Sequence, residues 1–148
     1  MISVTIIEDD QVLRDSLAVL IRGTRGFSCT GTYDNWETAL QNLDEDLPDV
    51  TLLDIELKGR SGIEGVAKIK EKQSDVAIVM LTIHEDNESV FHSLRNGASG
   101  YLVKNVEPAD LLDAIKEVHA GGSPMSMAIA RMVTNSFRKE QILNEVEI

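Results

Sequence analysis

The hydrophobic residues of this chain fall into two patterns that alternate along the sequence. Five short segments have the composition of β-strands, and those at 50–53 and 76–81 are almost continuously apolar, which is typical of strands covered on both faces. Between them, apolar residues recur every three or four positions, which predicts amphipathic helices. The predicted strands are 3–8, 27–33, 49–53, 76–81 and 100–103, and the predicted helices are 11–22, 35–44, 87–95 and two that begin near Ile63 and Pro108.

Five strand–helix repeats predict an α/β domain with a doubly wound, five-stranded parallel sheet. The sequence Gly121-Gly122-Ser123-Pro124 interrupts the alternation, and the apolar residues after it predict one further helix. From Arg138 onward we expect a polar tail. The predicted organisation is therefore a domain over residues 1–122, followed by a linker helix and tail over residues 123–148.

Polar residues follow four of the five predicted strands. They are Asp9 and Asp10 after the first strand, whose last residue is Glu8, then Asp54 after the third, Thr82 after the fourth and Lys104 after the fifth. The carboxyl ends of parallel strands lie at one edge of the sheet, and ligands bind at that edge. Carboxylates gathered there repel one another and need a cation, and their hard oxygen atoms favour Mg²⁺ or a similar divalent ion.

This combination of residues indicates phosphoryl-transfer chemistry. A carboxylate beside a metal can attack phosphorus, which makes Asp54 the candidate acceptor. The metal and Lys104 can then hold the phosphoryl oxygens, and the hydroxyl of Thr82 can donate to one of them. Taken singly, each residue also fits an ordinary role, since Asp10 or Thr82 could cap a helix and Lys104 could be a solvated surface charge.

Composition and charge exclude several classes of partner and site. The chain has 148 residues and a formal net charge of −11, which argues against nucleic acid binding by this segment itself. Its single cysteine, Cys29, excludes an intrachain disulfide. Neither a signal peptide nor an apolar stretch long enough to span a membrane is evident. We therefore expect a cytoplasmic protein without a membrane partner.

The residues at the strand ends, together with Gly62, resemble the receiver domain of two-component response regulators. The stretch 96–104 and the Gly-Gly-Ser-Pro sequence at 121–124 are similar to the NarL/FixJ, or LuxR-type, subfamily. The resemblance implies a flavodoxin-like sheet of order 2-1-3-4-5. It also implies a signalling phosphoacceptor rather than an enzyme acting on an external substrate.

The resemblance assigns a role to each matching residue. Asp54 is the phosphorylated aspartate, and Thr82 and Lys104 contact the phosphoryl group. Tyr101 is the aromatic switch that turns inward when Thr82 shifts. The expected Mg²⁺ or Mn²⁺ ligands are Asp9, Asp10, Asp54 and the backbone carbonyl of Glu56. Glu56 and His84, each two residues beyond a site residue, are expected to tune hydrolysis of the phosphoryl group.

The resemblance also implies partners. A sensor histidine kinase donates the phosphoryl group. Phosphorylation is expected to produce a homodimer through the 87–119 face or through the first and last helices, with a monomer that releases a DNA-binding domain as the alternative. DNA binding is expected only through a C-terminal helix-turn-helix domain, which the residues after Pro124 do not match. The chain is thus expected to be part of a longer regulator, with a stand-alone receiver as the alternative. Asn105 replaces a frequent proline, which leaves the geometry of the preceding peptide open.

Two other classes fit less well. A phosphohydrolase of the haloacid dehalogenase class places a second aspartate two residues after its nucleophile, where this chain has Glu56. A flavodoxin-like flavin carrier needs a first loop that binds phosphate through hydroxyl groups and backbone N–H groups. The acidic run at residues 8–10 would repel a phosphate instead.

Overall fold

The computed structural model describes the backbone of residues 1–147 and the side chains of residues 1–139. In chain order its elements are β1 (Ile2–Ile7), α1 (Gln11–Arg22), β2 (Phe27–Tyr33), α2 (Trp36–Gln41), α3 (Leu43–Asp46), β3 (Val50–Leu53), β4 (Glu56–Leu57), β5 (Arg60–Ser61), α4 (Gly62–Lys72), β6 (Ala77–Thr82), α5 (Asn87–Arg95), β7 (Gly100–Val103), α6 (Pro108–His119) and α7 (Met127–Glu147). The main sheet is parallel, with the order β2-β1-β3-β6-β7. Since β4 and β5 form a separate hairpin, β6 and β7 are the fourth and fifth strands of the main sheet. The predicted fold class and the predicted strand order 2-1-3-4-5 are therefore confirmed.

The sheet is covered on both faces because successive residues of each strand point to opposite sides. On one side Ile6, Leu52 and Val79 pack with α1 and α6 in one apolar cluster. The residues that follow them on the strands belong to a second cluster, with α2, α4 and α5. Two buried faces explain why the central strands are nearly all apolar.

Two local features differ from the prediction, and a third was left open by the sequence. The single helix expected over 35–44 is two short helices, and Asn35 caps the first through a hydrogen bond from Thr38 N–H. Between β3 and α4, where no strand was predicted, the chain forms the antiparallel β4–β5 hairpin, whose turn residues Lys58 and Gly59 both have positive φ. No cis peptide bond occurs in the described chain, so the bond between Lys104 and Asn105 is trans.

The segment after α6 is joined to the edge of the sheet. Tyr101 N–H donates to the Pro124 carbonyl at 2.9 Å, and Ser126 N–H donates to the Tyr101 carbonyl at 3.1 Å. Helix α7 follows, and Ile129 on its first turn is fully buried in the second apolar cluster. The predicted linker helix is present, and it continues through the segment expected as a polar tail as far as Glu147.

Within the described part of the chain, no helix is both long enough and apolar enough to cross a membrane.

Candidate functional site

Three carboxylates meet where β1 and β3 end. These strands are neighbours, with Ile7 paired to Leu53, so the residues that follow them are brought side by side. One carboxylate oxygen from each of Glu8, Asp9 and Asp54 lies within 4.8 Å of the others. Glu8 and Asp54 are buried and Asp9 is half-buried. The cluster is therefore a concentrated negative site that is largely shielded from water.

Lys104 supplies the compensating charge. It follows β7, and its Nζ lies 2.8 Å from Glu8 Oε1 and 2.9 Å from Asp54 Oδ2. Burial alone would lower the pKa of Lys104, but the hydrogen bonds and charges of Glu8 and Asp54 outweigh burial and raise it. Lys104 is thus a stable ammonium that binds both buried carboxylates.

Glu8 accepts hydrogen bonds at both its side chain and its backbone carbonyl. Burial raises its pKa, and the nearby Asp54 charge acts in the same direction, whereas the hydrogen bonds from Lys104 and from Asp10 N–H oppose this increase. The Arg14 guanidinium donates to the Glu8 carbonyl at 2.7 Å. Glu8 belongs to the acidic run of the sequence but was not predicted as a metal ligand, and the structure shows it as a full member of the cluster.

Asp10, in contrast, lies outside this cluster. Its side chain is the N-cap of α1, where Oδ1 accepts hydrogen bonds from Val12 N–H at 3.0 Å and Leu13 N–H at 3.3 Å. The structure therefore does not bring Asp10 together with Asp9 and Asp54, as the sequence had predicted, and it brings Glu8 to them instead. The signal was in the sequence, since an aspartate directly before an amphipathic helix is a typical N-cap.

The backbone around Asp54 holds its side chain in place. Asp54 N–H donates to the Ile7 carbonyl at 3.1 Å, and Asp54 Oδ1 accepts from Ile55 N–H at 2.8 Å. A Cβ atom on Gly62 would lie 1.9 Å from the Asp54 carbonyl oxygen, so only glycine fits there. The loop from Asp54 to α4 is consequently closed tightly behind the carboxylate.

Thr82, His84 and Tyr101 form a second group beside the carboxylates. Thr82 is fully buried at the end of β6, and its Oγ1 accepts from His84 N–H at 3.3 Å. Tyr101 is also fully buried, and its hydroxyl donates to the His84 carbonyl at 2.7 Å. Burial, followed by the charges of Asp86 and Asp54, raises the pKa of Tyr101. Tyr101 therefore occupies the inward position.

Glu56 and His84 approach each other across the mouth of the site. His84 Nε2 lies 3.5 Å from Glu56 Oε2, and the Glu56 side chain is mostly exposed. Both residues were predicted to tune hydrolysis of the phosphoryl group, and the structure brings them together.

The hairpin residue Lys58 was not predicted to belong to the site. Its N–H donates to Asp9 Oδ2 at 3.2 Å, and its Nζ pairs with Asp34 Oδ2 at 3.1 Å. A residue whose backbone makes the contact leaves no clear signal in side-chain chemistry. The hairpin thus borders the acidic cluster on its exposed side.

A parallel sheet of order 2-1-3-4-5 with a buried aspartate, two further carboxylates and a lysine at its carboxyl edge defines the class of receiver-like α/β domains. The family model for the response regulator receiver domain matches residues 4–116. The chain belongs to this family.

Comparisons with individual proteins agree with the family. The chain is 30% identical over 150 residues to transcriptional regulatory protein LnrK of Bacillus subtilis, which covers 99% of this chain and 68% of that protein. It is 30% identical over 146 residues to the nitrate/nitrite response regulator NarL of Escherichia coli, covering 99% and 68%. A two-component response regulator of the LuxR family from Aurantimonas superposes with a TM-score of 0.84 at 27% identity, covering 90% of this chain and 96% of that one. This chain is thus a receiver of the LuxR-family type, and it spans about two thirds of these two curated relatives.

Proposed function

We propose that this chain is a signalling receiver that accepts a phosphoryl group on Asp54 from a phosphohistidine of a sensor histidine kinase. The observation that carries the proposal is the position of Asp54, buried beside Glu8 and Asp9 with Lys104 in contact. A carboxylate in such a site can be a nucleophile, and a single fixed ammonium can accompany the transferred charge.

The donor set fits a divalent cation. Three carboxylates and one ammonium leave two negative charges in the site, and all available ligands are hard oxygen atoms, which Mg²⁺ or Mn²⁺ prefers. Glu8, Asp9, Asp54 and the backbone carbonyl of Glu56 would hold the ion, and Asp10 would remain a helix cap. When bound, the ion supplies charge neutralisation for the phosphoryl oxygens.

The residues of the chain then carry the transfer. An oxygen of Asp54 forms the O–P bond as the N–P bond of the phosphohistidine breaks, and the imidazole leaves with the electron pair of that bond. Lys104 moves its hydrogen bond from Asp54 Oδ2 to a phosphoryl oxygen and keeps its ion pair with Glu8. The hydroxyl of Thr82 donates to a second phosphoryl oxygen, and Tyr101 responds to the shift of Thr82.

The lifetime of the acyl phosphate depends on the water that attacks it. Glu56 and His84 lie at the mouth of the site, 3.5 Å apart, and this position supports a role in admitting or orienting that water. Decay of the phosphoryl group should therefore change more than twofold in Glu56→Ala or His84→Ala. Decay within twofold of wild type in both variants would remove these residues from the proposal.

The output of the proposed switch is control of transcription in a longer regulator, which binds DNA through a helix-turn-helix domain. A phosphorylation-dependent homodimer would form between phosphorylation and DNA binding. The LuxR-family relatives support this proposal. A stand-alone receiver that acts through protein contacts is the alternative.

Intact-mass spectrometry after incubation with acetyl phosphate tests the central proposal. We expect one added phosphoryl group with Mg²⁺, none after chelation, and none in Asp54→Asn. Asp75→Asn, an equal change at an exposed position, is the control and should be phosphorylated like wild type. A hydroxylamine-labile phosphoryl group on Asp54→Asn would refute the assignment.

A further inference from the structure

Asp34 lies at the carboxyl edge of the sheet, next to the acidic cluster. It directly follows β2, whose last residue, Tyr33, pairs with the last residue of β1. The Glu8 N–H donates to the Tyr33 carbonyl at 2.9 Å, so the residues that follow the two strands are brought side by side. Asp34 is half-buried and is not one of the three cluster carboxylates. A further carboxylate therefore stands beside the candidate cation site without belonging to it.

Lys58 connects Asp34 to the cluster. Its Nζ donates to Asp34 Oδ2 at 3.1 Å, and its backbone N–H donates to Asp9 Oδ2 at 3.2 Å. Lys58 and Gly59 form the two-residue turn of the hairpin, with φ of 44° and 82°. Such turns favour asparagine, aspartate or glycine at the first position, because other residues are uncommon at positive φ. The ion pair with Asp34 therefore helps to hold a lysine in this conformation, with its N–H directed at Asp9.

A second ion pair joins the hairpin to the same part of the chain. Arg60 Nη1 lies 3.2 Å from Glu37 Oε2, and the Arg60 guanidinium carbon lies 6.0 Å from the centre of the Trp36 ring. Leu57, which is 2% exposed, anchors the base of the hairpin in the second apolar cluster. The base is thus fixed by packing, whereas the turn is held by exposed ion pairs, which are individually weak.

We propose that Lys58 is a positioning residue for the divalent cation: the Asp34–Lys58 ion pair fixes the turn so that the Lys58 N–H orients Asp9 as a ligand. This inference rests on the proposed function, which places Asp9 among the ligands of the cation. A carboxylate can accept a hydrogen bond and bind an ion at the same time. Hydrogen bonds of this kind fix the orientation of ligating carboxylates and raise the affinity for the metal.

Charge alone predicts the opposite effect for Lys58. An ammonium group repels a nearby cation, so its removal would tighten cation binding if only charge mattered. Because Lys58 acts through Asp9 in the proposal, its neutralisation should instead weaken binding, since the turn loses the contact that holds it. Asp34→Asn weakens binding in either case, so the Lys58 variant decides between the two explanations.

Isothermal titration calorimetry with Mg²⁺ tests the proposal on the full chain. Lys58→Gln and Asp34→Asn should each bind Mg²⁺ about threefold more weakly than wild type, a small loss because the ion pair is exposed. The double variant should lose no more affinity than either single variant, since both changes break the same contact. Lys58→Arg keeps the ion pair and should bind Mg²⁺ like wild type.

Two exposed positions provide matched controls. Lys68→Gln, on α4, removes an equal positive charge, and Asp75→Asn removes an equal negative charge. Both variants should bind Mg²⁺ like wild type. Circular dichroism establishes that each variant folds, and Lys58→Gly, which suits a positive φ, replaces Lys58→Gln if that variant does not fold.

Amide hydrogen exchange at residue 58, measured by NMR without metal, is the second readout. Exchange should be about threefold faster in Asp34→Asn than in wild type, because the hydrogen bond to Asp9 opens more often. Equal or tighter Mg²⁺ binding by Lys58→Gln, or unchanged exchange at residue 58, would overturn the inference and leave Asp54 as the phosphoacceptor. A wild type that binds no Mg²⁺ would instead refute the proposed cation site, and this inference with it.

Discussion

Different kinds of interaction stabilise the carboxyl edge of the sheet and the outer side of β7. Charge pairing dominates in the first region, and backbone hydrogen bonds with apolar packing dominate in the second. At the carboxyl edge, Glu8 and Asp54 are buried charges stabilised by one ammonium group, Lys104. On the outer side, Pro124 and Ser126 pair with the Tyr101 backbone, and Ile129 is buried in apolar contacts. The first region is sensitive to the loss or gain of one charge, whereas the second is sensitive to lost packing.

Tyr101 connects the two regions. Its backbone binds residues 124–126, and its hydroxyl binds the carbonyl of His84, two residues beyond Thr82. Thr82, His84 and Tyr101 thus form a continuous chain of hydrogen bonds from the end of β6 to residues 124–126, directly before α7. In the proposed function, a shift of Thr82 on phosphorylation would pass along these contacts to residues 124–126.

The largest expected effect comes from removing the central cation. Lys104→Met leaves two buried carboxylates without their partner, so we expect loss of phosphorylation and a decrease of about 3 kcal/mol in the free energy of unfolding. Urea denaturation measures the second quantity. Mg²⁺ should restore part of the lost stability, and Lys68→Met, at an exposed position, should change neither property. Unaltered stability of Lys104→Met would show that the carboxylates do not depend on this charge.

The outer side is tested by Ile129→Ala. If α7 is packed as part of the domain, this change should cost about 2–3 kcal/mol of unfolding free energy, because it leaves a cavity in the second apolar cluster. Met127→Ala, two residues away and 83% exposed, is the matched control and should cost little. Equal stabilities of the two variants would mean that α7 is not docked in solution.

Because Asp9 lies in the acidic cluster and Asp10 caps α1, their substitution should have different effects on Mg²⁺ binding. Asp9→Asn should weaken Mg²⁺ binding about tenfold because it removes a cluster carboxylate. Asp10→Asn should leave binding nearly unchanged, since asparagine caps a helix as well as aspartate does. Isothermal titration calorimetry of both variants measures the difference, and a reversed order of affinities would return Asp10 to the metal site.

The smallest effect is expected where the two regions meet. Tyr101→Phe removes one buried hydrogen bond, to the His84 carbonyl, and should reduce the free energy of unfolding by about 1 kcal/mol. Phosphorylation should still proceed, because the hydroxyl does not touch Asp54 or Lys104. Complete loss of phosphorylation in Tyr101→Phe, with the protein folded, would contradict this separation.

Much of the site was predictable from where the strands end. Asp54, Thr82 and Lys104 each follow an apolar run, and parallel strands bring such positions to one edge whatever the loops do. The strand alone does not determine which two of the three acidic residues at 8–10 lie beside Asp54, because a shift of one residue moves a side chain to the other face of the sheet. Helix α1 decided the choice by using Asp10 as its cap.

The sequence by itself determined the βα alternation, the sheet and the residues at its carboxyl edge, because local hydrophobic period and strand length specify these without knowledge of distant contacts. Only the tertiary structure decided that Glu8 shares Lys104 with Asp54, that Lys58 N–H reaches Asp9 and that residues 124–126 extend the sheet. Those contacts join residues far apart in the chain or act through the backbone. No local pattern encodes them, and burial in the folded domain selects them.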